Sequence, residues 1–270
     1  MYHLLYADYE RARPVFAGLR YNLAIDAMLD GNTPAWVYVD DIYSPRTAWM
    51  WDLQGEMYIA GYAGSVDLSR MLARVISGRV LPYARAHHIP RLTLCYDNPA
   101  WESHLGAIFP GLKTEPARHR YYTFSKPILD WQAVQPAGSE ILRIDEALLA
   151  RRDLRNIEML TGWVDSFWRT RADFENTGFG FALLQGDVVI SCCLSVFVSG
   201  KARELGLETV PEYRGQGYAT AVAARSVAFC ADLGLTPHWH SEEENISSWR
   251  VAERIGFVNP TGYMVYRVYA

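Results

Sequence analysis

The chain has 270 residues, half of them apolar and 21% charged, a composition that excludes a disordered or low-complexity protein. At about 150 residues per domain, this length predicts two compact domains or one domain with a large extension. Lysine and arginine number 26 against 30 acidic residues, so the net charge of −4 offers no basic surface for nucleic acid.

The first half predicts a mixture of helices and short strands. Apolar periodicity indicates a helix from about Tyr9 to Leu29 that ends at Asp30-Gly31. Strands are expected after it at residues 35–39, 47–53, 57–62, 91–96 and 120–125. A helix at 66–77 and a short helix at 99–108 lie between them.

The stretch 127–139 contains Pro127, Pro136 and Gly138 and predicts a linker between a first domain, 1–126, and a second, 140–270. In the second domain we expect strands at residues 140–144, 179–185, 188–198, 202–209, 236–240 and 263–269, with a hairpin turn at Gly186-Asp187. Helices are expected at residues 146–152, 153–168, 214–233 and 246–255. This order predicts an α+β fold with a mixed sheet. The two halves share a rough order of elements, which is compatible with a structural duplication, but they have no sequence identity that can be aligned.

The four cysteines have no CxxC spacing, so we expect reduced thiols and no metal site. Cys192 and Cys193 are neighbours on a predicted strand and would point to opposite faces, which makes them poor disulfide partners. No apolar stretch is long enough to span a bilayer. Residues 1–13 include the charged residues Asp8, Glu10, Arg11 and Arg13 and lack the apolar region of a signal peptide. We therefore expect a soluble, cytoplasmic protein with no membrane partner.

The run from Leu207 to Thr220 is the most informative segment, because it places glycines between a strand and a long Ala-rich helix. The free N–H groups of the first helical turn would then face a ligand, and the helix dipole favours an anion such as pyrophosphate. The alternative is a tight turn that needs glycine only for its dihedral angles. A Rossmann fingerprint would need glycine where Thr220 stands, and no Lys-Ser or Lys-Thr pair closes a P-loop.

This run resembles the Arg/Gln-x-x-Gly-x-Gly/Ala signature of the GNAT N-acetyltransferase superfamily, read here as Arg214, Gly217 and Ala219. A second segment, 236–257, resembles the strand and helix that in this family meet the pantetheine and phosphate groups of CoA. The resemblance implies acetyl-CoA as cosubstrate, with no metal, and the cosubstrate-binding residues Val210, Arg214, Gly215, Gln216, Gly217, Tyr218, Ala219, Asn245 and Ser248.

A narrower resemblance is to a bacterial GNAT subset that includes zwittermicin-A-resistance-type acetyltransferases. It rests on Val-Tyr-Val-Asp-Asp at 37–41, on Glu-Thr before the Tyr-Arg-Gly loop, and on a Pro-x-Trp run before Asn245. It implies two lobes, a C-terminal GNAT fold and an N-terminal, degenerate GNAT-like α/β lobe that shapes or covers the acceptor pocket.

Several of these residues also have a purely structural interpretation. Asn245 could be the N-cap of its helix, alone or together with a ligand contact. Gly256 fits a left-handed helix end, Phe257 fits the core, and Tyr218 could simply fill space.

Acetyl transfer needs a neutral amine, and an alkylamine with a pKa near 10 is about one part in a thousand neutral at pH 7. Glu208 is the first candidate base, with Glu204 and His240 behind it, although each could instead be a salt-bridged carboxylate or a core histidine. A backbone N–H near Val210 would polarise the thioester carbonyl if the strand bulges.

Many family members have a tyrosine seven residues after the helix asparagine, which protonates the departing thiolate, but here that position is Ala252. Either Tyr218 or another residue takes this role, the thiolate leaves unprotonated, or acetyl-CoA binds without fast turnover.

The 36 aromatic residues suggest either an unusually aromatic core or the binding of a flat or cationic ligand. In the region that the family uses for acceptor choice, Trp163, Asp165, Phe167 and Trp168 could hold a cationic amine or simply pack in the core.

The sequence thus predicts an N-acetyltransferase that transfers acetyl to the primary amine of a small molecule by direct attack in a ternary complex. The alternatives are a non-catalytic acyl-CoA-binding or sensor protein and a protein N-acetyltransferase. The expected partner is the acceptor amine, with no nucleic acid, and a homodimer is left open.

Overall fold

The computed structural model describes residues 1–269 and contains two compact units. The first comprises Met1–His119 and the chain from Tyr263 onward, and the second comprises Arg120–Gly262. These bounds differ from the expected domains, because strand β6 (Lys113–Phe124) crosses the first boundary and strand β12 (Phe257–Tyr269) crosses the second.

The stretch 127–139 does not behave as the free linker that its prolines and glycine predicted. It contains a short helix, α5 (Trp131–Val134), whose N-cap Asp130 accepts a hydrogen bond from the N–H of Gln132. Leu129, Trp131 and Val134 pack against the apolar core of the second unit. The segment is therefore part of that unit, because its apolar side chains outweigh its turn residues.

The first unit is built from a sheet in the order β1-β2-β3-β4-β5-β12. Its strands are β1 (Tyr2–His3), β2 (Trp36–Val39), β3 (Thr47–Trp51), β4 (Glu56–Gly61) and β5 (Arg91–Tyr96), joined by residues 263–269 of β12. Its helices are α1 (Leu23–Leu29), α2 (Val66–Val75), α3 (Leu81–Ala86) and α4 (Leu105–Ile108). β4 and β5 are parallel, and the other neighbours pair antiparallel.

Two helix predictions in the first unit need correction. The expected helix 9–29 consists of two 3-10 segments, Tyr6–Arg11 and Val15–Leu19, followed by α1, because Pro14 interrupts the hydrogen-bond ladder. The expected helix 66–77 continues instead through a π-helical turn, Ile76–Val80, into α3. Pro82 lies just after this π-helical turn, in the first turn of α3.

The aromatic residues of the first unit form its core. Trp49, Trp51 and Trp101 are at most 1% exposed and share one apolar cluster with Tyr38 and Phe109. Much of the aromatic excess in this half is therefore packing, as one of the two interpretations expected.

The second unit is built from a sheet in the order β6-β11-β10-β9-β8-β7. Its further strands are β7 (Glu140–Arg143), β8 (Gly180–Gln185), β9 (Val188–Ser199), β10 (Ala202–Thr209) and β11 (Thr236–Glu242). Its helices are α5, α6 (Glu146–Leu149), α7 (Ile157–Phe167), α8 (Arg171–Thr177), α9 (Tyr218–Asp232) and α10 (Ile246–Ile255). β7, β8, β9 and β10 pair antiparallel, whereas β10 and β11 are parallel, so the predicted mixed sheet is confirmed.

Apolar cores cover both faces of the second sheet. Cys193 packs on the face that α9 and α10 cover, and Cys192 packs on the face that α7 covers, so the two neighbours point to opposite sides as expected. All four cysteines are buried and free, and burial raises the pKa of each thiol. Within residues 1–269, no helix is long and apolar enough to cross a membrane.

Candidate active site

The main cleft of the second unit opens where two parallel strands separate. β10 and β11 pair only from Ala202↔Thr236 to Glu204↔His238. Beyond that point, residues 205–209 and 239–241 line a cleft with a volume of about 650 Å³. β10 stays paired with β9 as far as Thr209↔Ser191, with a bulge between Glu204 and Leu205. One edge of β10 is therefore left without a neighbouring strand, and it faces the cleft.

Strand alternation decides which backbone N–H groups face the cleft. A donor to the thioester was expected near Val210, whose own N–H donates to the Ile190 carbonyl at 2.9 Å. In an antiparallel pair the N–H groups of successive residues point to opposite sides, so those of Leu207 and Thr209 point away from β9. Thr209 N–H donates to Glu208 Oε1 at 3.1 Å. Leu207 lines the cleft, so its N–H is a backbone donor near Val210 that faces the cleft.

The loop after β10 leads into the N-terminus of α9. A short 3-10 turn, Pro211–Tyr213, precedes Arg214, and then Gly215 and Gly217 adopt φ of +78° and +89°. Gly217 is the N-cap of α9 and supplies no side-chain cap. A Cβ built on either glycine meets no protein atom within 4 Å, so the space over both backbones is open. The first-turn N–H groups of α9 thus form a site suited to an anion.

Arg214 is held in place by the end of β10. Its Nη2 donates to Glu208 Oε1 at 2.9 Å, and its Nε donates to the Thr209 carbonyl at 3.0 Å. Glu208 is therefore salt-bridged to Arg214 through Oε1. It also carries the only carboxylate among the described residues that line the cleft.

Helix α10 forms the opposite wall. Asn245 Oδ1 accepts from Ser248 N–H at 3.2 Å and from Ser247 Oγ at 2.8 Å, so the N-cap interpretation is confirmed. Ser248 Oγ in turn accepts from Trp239 Nε1 at 3.1 Å. The α10 side chains of Arg250 and Arg254 also line the cleft, and neither forms an ion pair with another residue of the described chain.

The groups expected to move protons lie in different surroundings. Tyr218 is buried, and its hydroxyl donates to Gln185 Oε1 at 3.5 Å. His240 lines the cleft, and its Nδ1 lies 2.9 Å from Glu204 Oε2. Ala252 is fully buried in the core and does not line the cleft. Tyr213, which the sequence reasoning passed over, places a second tyrosine on the cleft wall.

The predicted aromatic face is mostly packing. Trp168 is buried and donates through Nε1 to the Ser195 carbonyl at 3.0 Å, and Phe167 packs edge-on against Phe197. Asp165 is paired with Arg171 at 2.8 Å. Only Trp163 lines the cleft, where its ring lies against Gly206 so closely that a Cβ there would be 2.4 Å away.

Two further predicted positions have their structural roles. Gly256 ends α10 with φ of +113°, and a Cβ there would lie 1.9 Å from the Lys126 carbonyl oxygen. Phe257 is 1% exposed in the core. Gln216, Ala219 and Gly215 lie in or beside the loop, with Gly215 and Ala219 on the cleft wall.

Arg250, Arg254, Tyr213 and Ser241 were missed as cleft residues. The arginines have helical i, i+4 spacing on the helix that Asn245 begins, and that spacing could have placed them on one face. Ser241 carried no sequence signal. Its Oγ is buried on the cleft wall and has no hydrogen-bond partner within residues 1–269.

The residues present suit an elongated ligand that carries phosphate groups. An open glycine backbone, an uncapped helix N-terminus and two arginines without carboxylate partners favour anions. The Ser241 hydroxyl and the exposed edge of β10 offer hydrogen bonds to a less charged arm. No group of three metal-ligating side chains occurs in the part of the chain that the structure describes.

The first unit repeats this order of elements, but there a side chain caps the helix. Parallel β4 and β5 flank α2, as β10 and β11 flank α9. Where β4 ends, Gly61 N–H donates to Asp97 Oδ2 at 2.9 Å, and Ser65 caps α2 by accepting from Leu68 N–H at 3.3 Å. The chain itself therefore supplies the side-chain cap that α9 lacks.

The chain is similar to known proteins along most of its length. A family model described as GNAT acetyltransferase matches residues 13–266. A Bacillus subtilis (strain 168) relative named as the uncharacterized N-acetyltransferase YdfB is 32% identical over 242 residues, which covers 89% of this chain and 88% of the relative.

Solved structures share the fold. A GCN5-related N-acetyltransferase-like protein from Streptococcus suis 89/1591 aligns with a TM-score of 0.69 and 23% identity, over 97% of this chain and 98% of its own. A tandem GNAT protein from the clavulanic acid biosynthesis pathway aligns with a TM-score of 0.57 and 13% identity, over 98% and 96%.

Proposed function

The chain belongs to the GNAT acetyltransferase family, and from this membership we propose that it transfers acetyl from acetyl-CoA to the primary amine of a small molecule. The observation that carries the proposal is the cleft between β10 and β11, which leads from an uncapped helix N-terminus to an unpaired strand edge. The phosphate-binding end and the strand edge suit the two chemically different ends of acetyl-CoA.

Binding is divided among three parts of the cleft. The backbone N–H groups that follow Gly217 would hold the pyrophosphate, and Arg214 is kept beside them by Glu208. Arg250 and Arg254 supply two positive charges that no carboxylate of the described chain neutralises. Because CoA is strongly anionic, these groups complement its charge.

The reaction itself needs a donor to the carbonyl oxygen and an acceptor for the amine proton. We assign the first to Leu207 N–H, which points away from β9 into the cleft. The amine nitrogen attacks the carbonyl carbon, its proton passes to a base, and the C–S bond breaks to release the thiolate. Glu208 is the first candidate base because it is the carboxylate of the cleft wall, and His240 is the second.

Two tyrosines, Tyr218 and Tyr213, are candidates to protonate the departing thiolate. Tyr218 is buried with its hydroxyl on Gln185, whereas Tyr213 is only half-buried. Ala252 supplies no hydroxyl and faces the core, which favours, as a second candidate function, a protein that binds acetyl-CoA without rapid turnover.

Two assays test the proposal. Thermal stabilisation by acetyl-CoA but not by NADH is expected, and stabilisation by neither would refute cosubstrate binding. Release of free thiol is then followed over a panel of small amines and of peptides. Release with small amines supports the proposal, release with peptides alone indicates a protein acetyltransferase, and binding without release indicates the non-catalytic alternative.

A further inference from the structure

A buried glutamate lies at the point where β10 and β11 separate. Glu204 is the last residue of β10 that pairs with β11, opposite His238. Its side chain is 8% exposed, and both carboxylate oxygens are bound to one residue of the neighbouring strand. Oε1 accepts from the backbone N–H of His240 at 2.8 Å, and Oε2 accepts from His240 Nδ1 at 2.9 Å.

The His240 N–H has another partner in a regular parallel ladder. Because Glu204 lies opposite His238, Leu205 would lie opposite Trp239, and its carbonyl would accept the N–H of His240. Here the Glu204 carboxylate takes that N–H instead. The ladder therefore stops at the pair of Glu204 and His238, and the cleft begins at the next residue.

Burying a carboxylate is costly in free energy unless it is well bonded, and an apolar residue in its place often gives equal or higher stability. Around Glu204, the nearby titratable groups are His240, which it bonds, and His238, whose pKa is lowered mainly by burial and is raised in part by the glutamate. A residue kept only for packing would not need to be an acid at this position.

We propose that Glu204 is a positioning residue that holds β10 and β11 apart, and that it thereby sets the opening into which the acyl-bearing arm of acetyl-CoA enters. The proposal rests on the proposed function, because it assigns that arm to the cleft. It places Glu204 in the opening of the cleft and not among the groups that touch the reacting atoms.

The test compares Glu204→Leu with Glu204→Gln. Leucine fills the volume but frees the His240 N–H to pair with the Leu205 carbonyl, so the ladder extends and the cleft narrows. We expect E204L to keep or raise the melting temperature while the KM for acetyl-CoA rises at least tenfold. In E204Q the amide oxygen can still accept the His240 N–H, so most of the KM change should be recovered.

A matched control is Asp187→Asn, which removes a carboxylate from the exposed ion pair with Arg155 and should leave KM unchanged. If E204L melts earlier and its KM equals that of the wild type, Glu204 is structural only and the proposal is overturned. If E204L does not fold, E204Q is compared with Glu204→Ala, which removes the accepting oxygen. An equal rise in the KM for acetyl-CoA in these two variants overturns the proposal as well.

The two proposals fail in different ways. A wild-type protein that does not bind acetyl-CoA refutes the proposed function, and the Glu204 assignment with it. Equal binding of acetyl-CoA by wild type and E204L refutes only the role of Glu204.

Discussion

Gly217 and Gly234 lie at the two ends of α9 and give a matched pair for testing whether a ligand approaches the loop backbone. Gly217 is the N-cap with φ of +89°, and Gly234 follows the C-cap with φ of +64°. At both positions a Cβ would meet no protein atom within 4 Å. The substitutions Gly217→Ala and Gly234→Ala therefore introduce backbone strain without a steric clash inside the protein.

Two opposing contributions set the loss of stability in each variant. A left-handed backbone costs an L-residue about 1–2 kcal/mol, and replacing glycine with alanine returns about 0.4–1 kcal/mol by restricting the unfolded chain. Each variant should thus lose about 1 kcal/mol of stability, which for a chain of this size corresponds to a melting temperature lower by about 2–4 °C. Differential scanning calorimetry measures both variants.

Only one of the two should affect binding. Gly217 lines the cleft and Gly234 does not, so only the Gly217→Ala methyl group occupies the space that a phosphate needs next to the helix N-terminus. We expect the Kd for acetyl-CoA, measured by calorimetric titration, to rise at least tenfold, about 1.4 kcal/mol, in G217A and to stay unchanged in G234A. Equal affinity in the two variants, with equal losses of stability, would refute the assignment of the anion site to this loop.

Three further outcomes are expected. Burial raises the pKa of Asp52 to about 6 from 3.8, so the folded protein binds this proton more tightly than the unfolded chain does. The free energy of unfolding should therefore fall by up to about 3 kcal/mol as the pH rises from about 4 to 6. Urea denaturation should show this fall in the wild type and not in Asp52→Asn. The double variant Arg250→Ala, Arg254→Ala should bind acetyl-CoA about tenfold more weakly at low salt and with a shallower salt dependence, whereas equal slopes would place these arginines outside the phosphate site. If Glu208 is the base, Glu208→Gln should lower kcat about 100-fold, and the same loss in His240→Gln but not in E208Q would assign the base to His240.

The sequence predicted the parts of the fold that depend on local pattern. β5 has the predicted bounds, Arg91–Tyr96, and the hairpin turn at Gly186-Asp187 joins β8 and β9. The loop around Arg214 and Gly217 was also found, because glycine spacing between a strand and a helix is a local signal. The narrower resemblance to zwittermicin-A-resistance-type enzymes stays a prediction.

The remaining roles depend on contacts that the local pattern does not specify. A backbone donor was expected near Val210 without knowledge of the strand register, and the register with β9 directs the N–H of Val210 itself to Ile190. The role of Glu208 depends on its contact with Arg214. The role of Glu204 depends on β11, a strand that lies more than thirty residues further along the chain. Pattern reasoning identifies such side chains as candidates, but only the pairing of strands shows what each one contacts.

The second half of β12, from Tyr263 onward, belongs to the first unit, and this has a consequence for how the chain is made. Residues 265–269 pair with β5, and Val265 and Val268 are fully buried. During synthesis, this edge of β5 therefore stays unpaired and exposed until the whole second unit has been translated. A fragment that ends at residue 126 lacks this strand, so we expect it to aggregate, whereas the same fragment supplied with a peptide of residues 257–269 should be rescued.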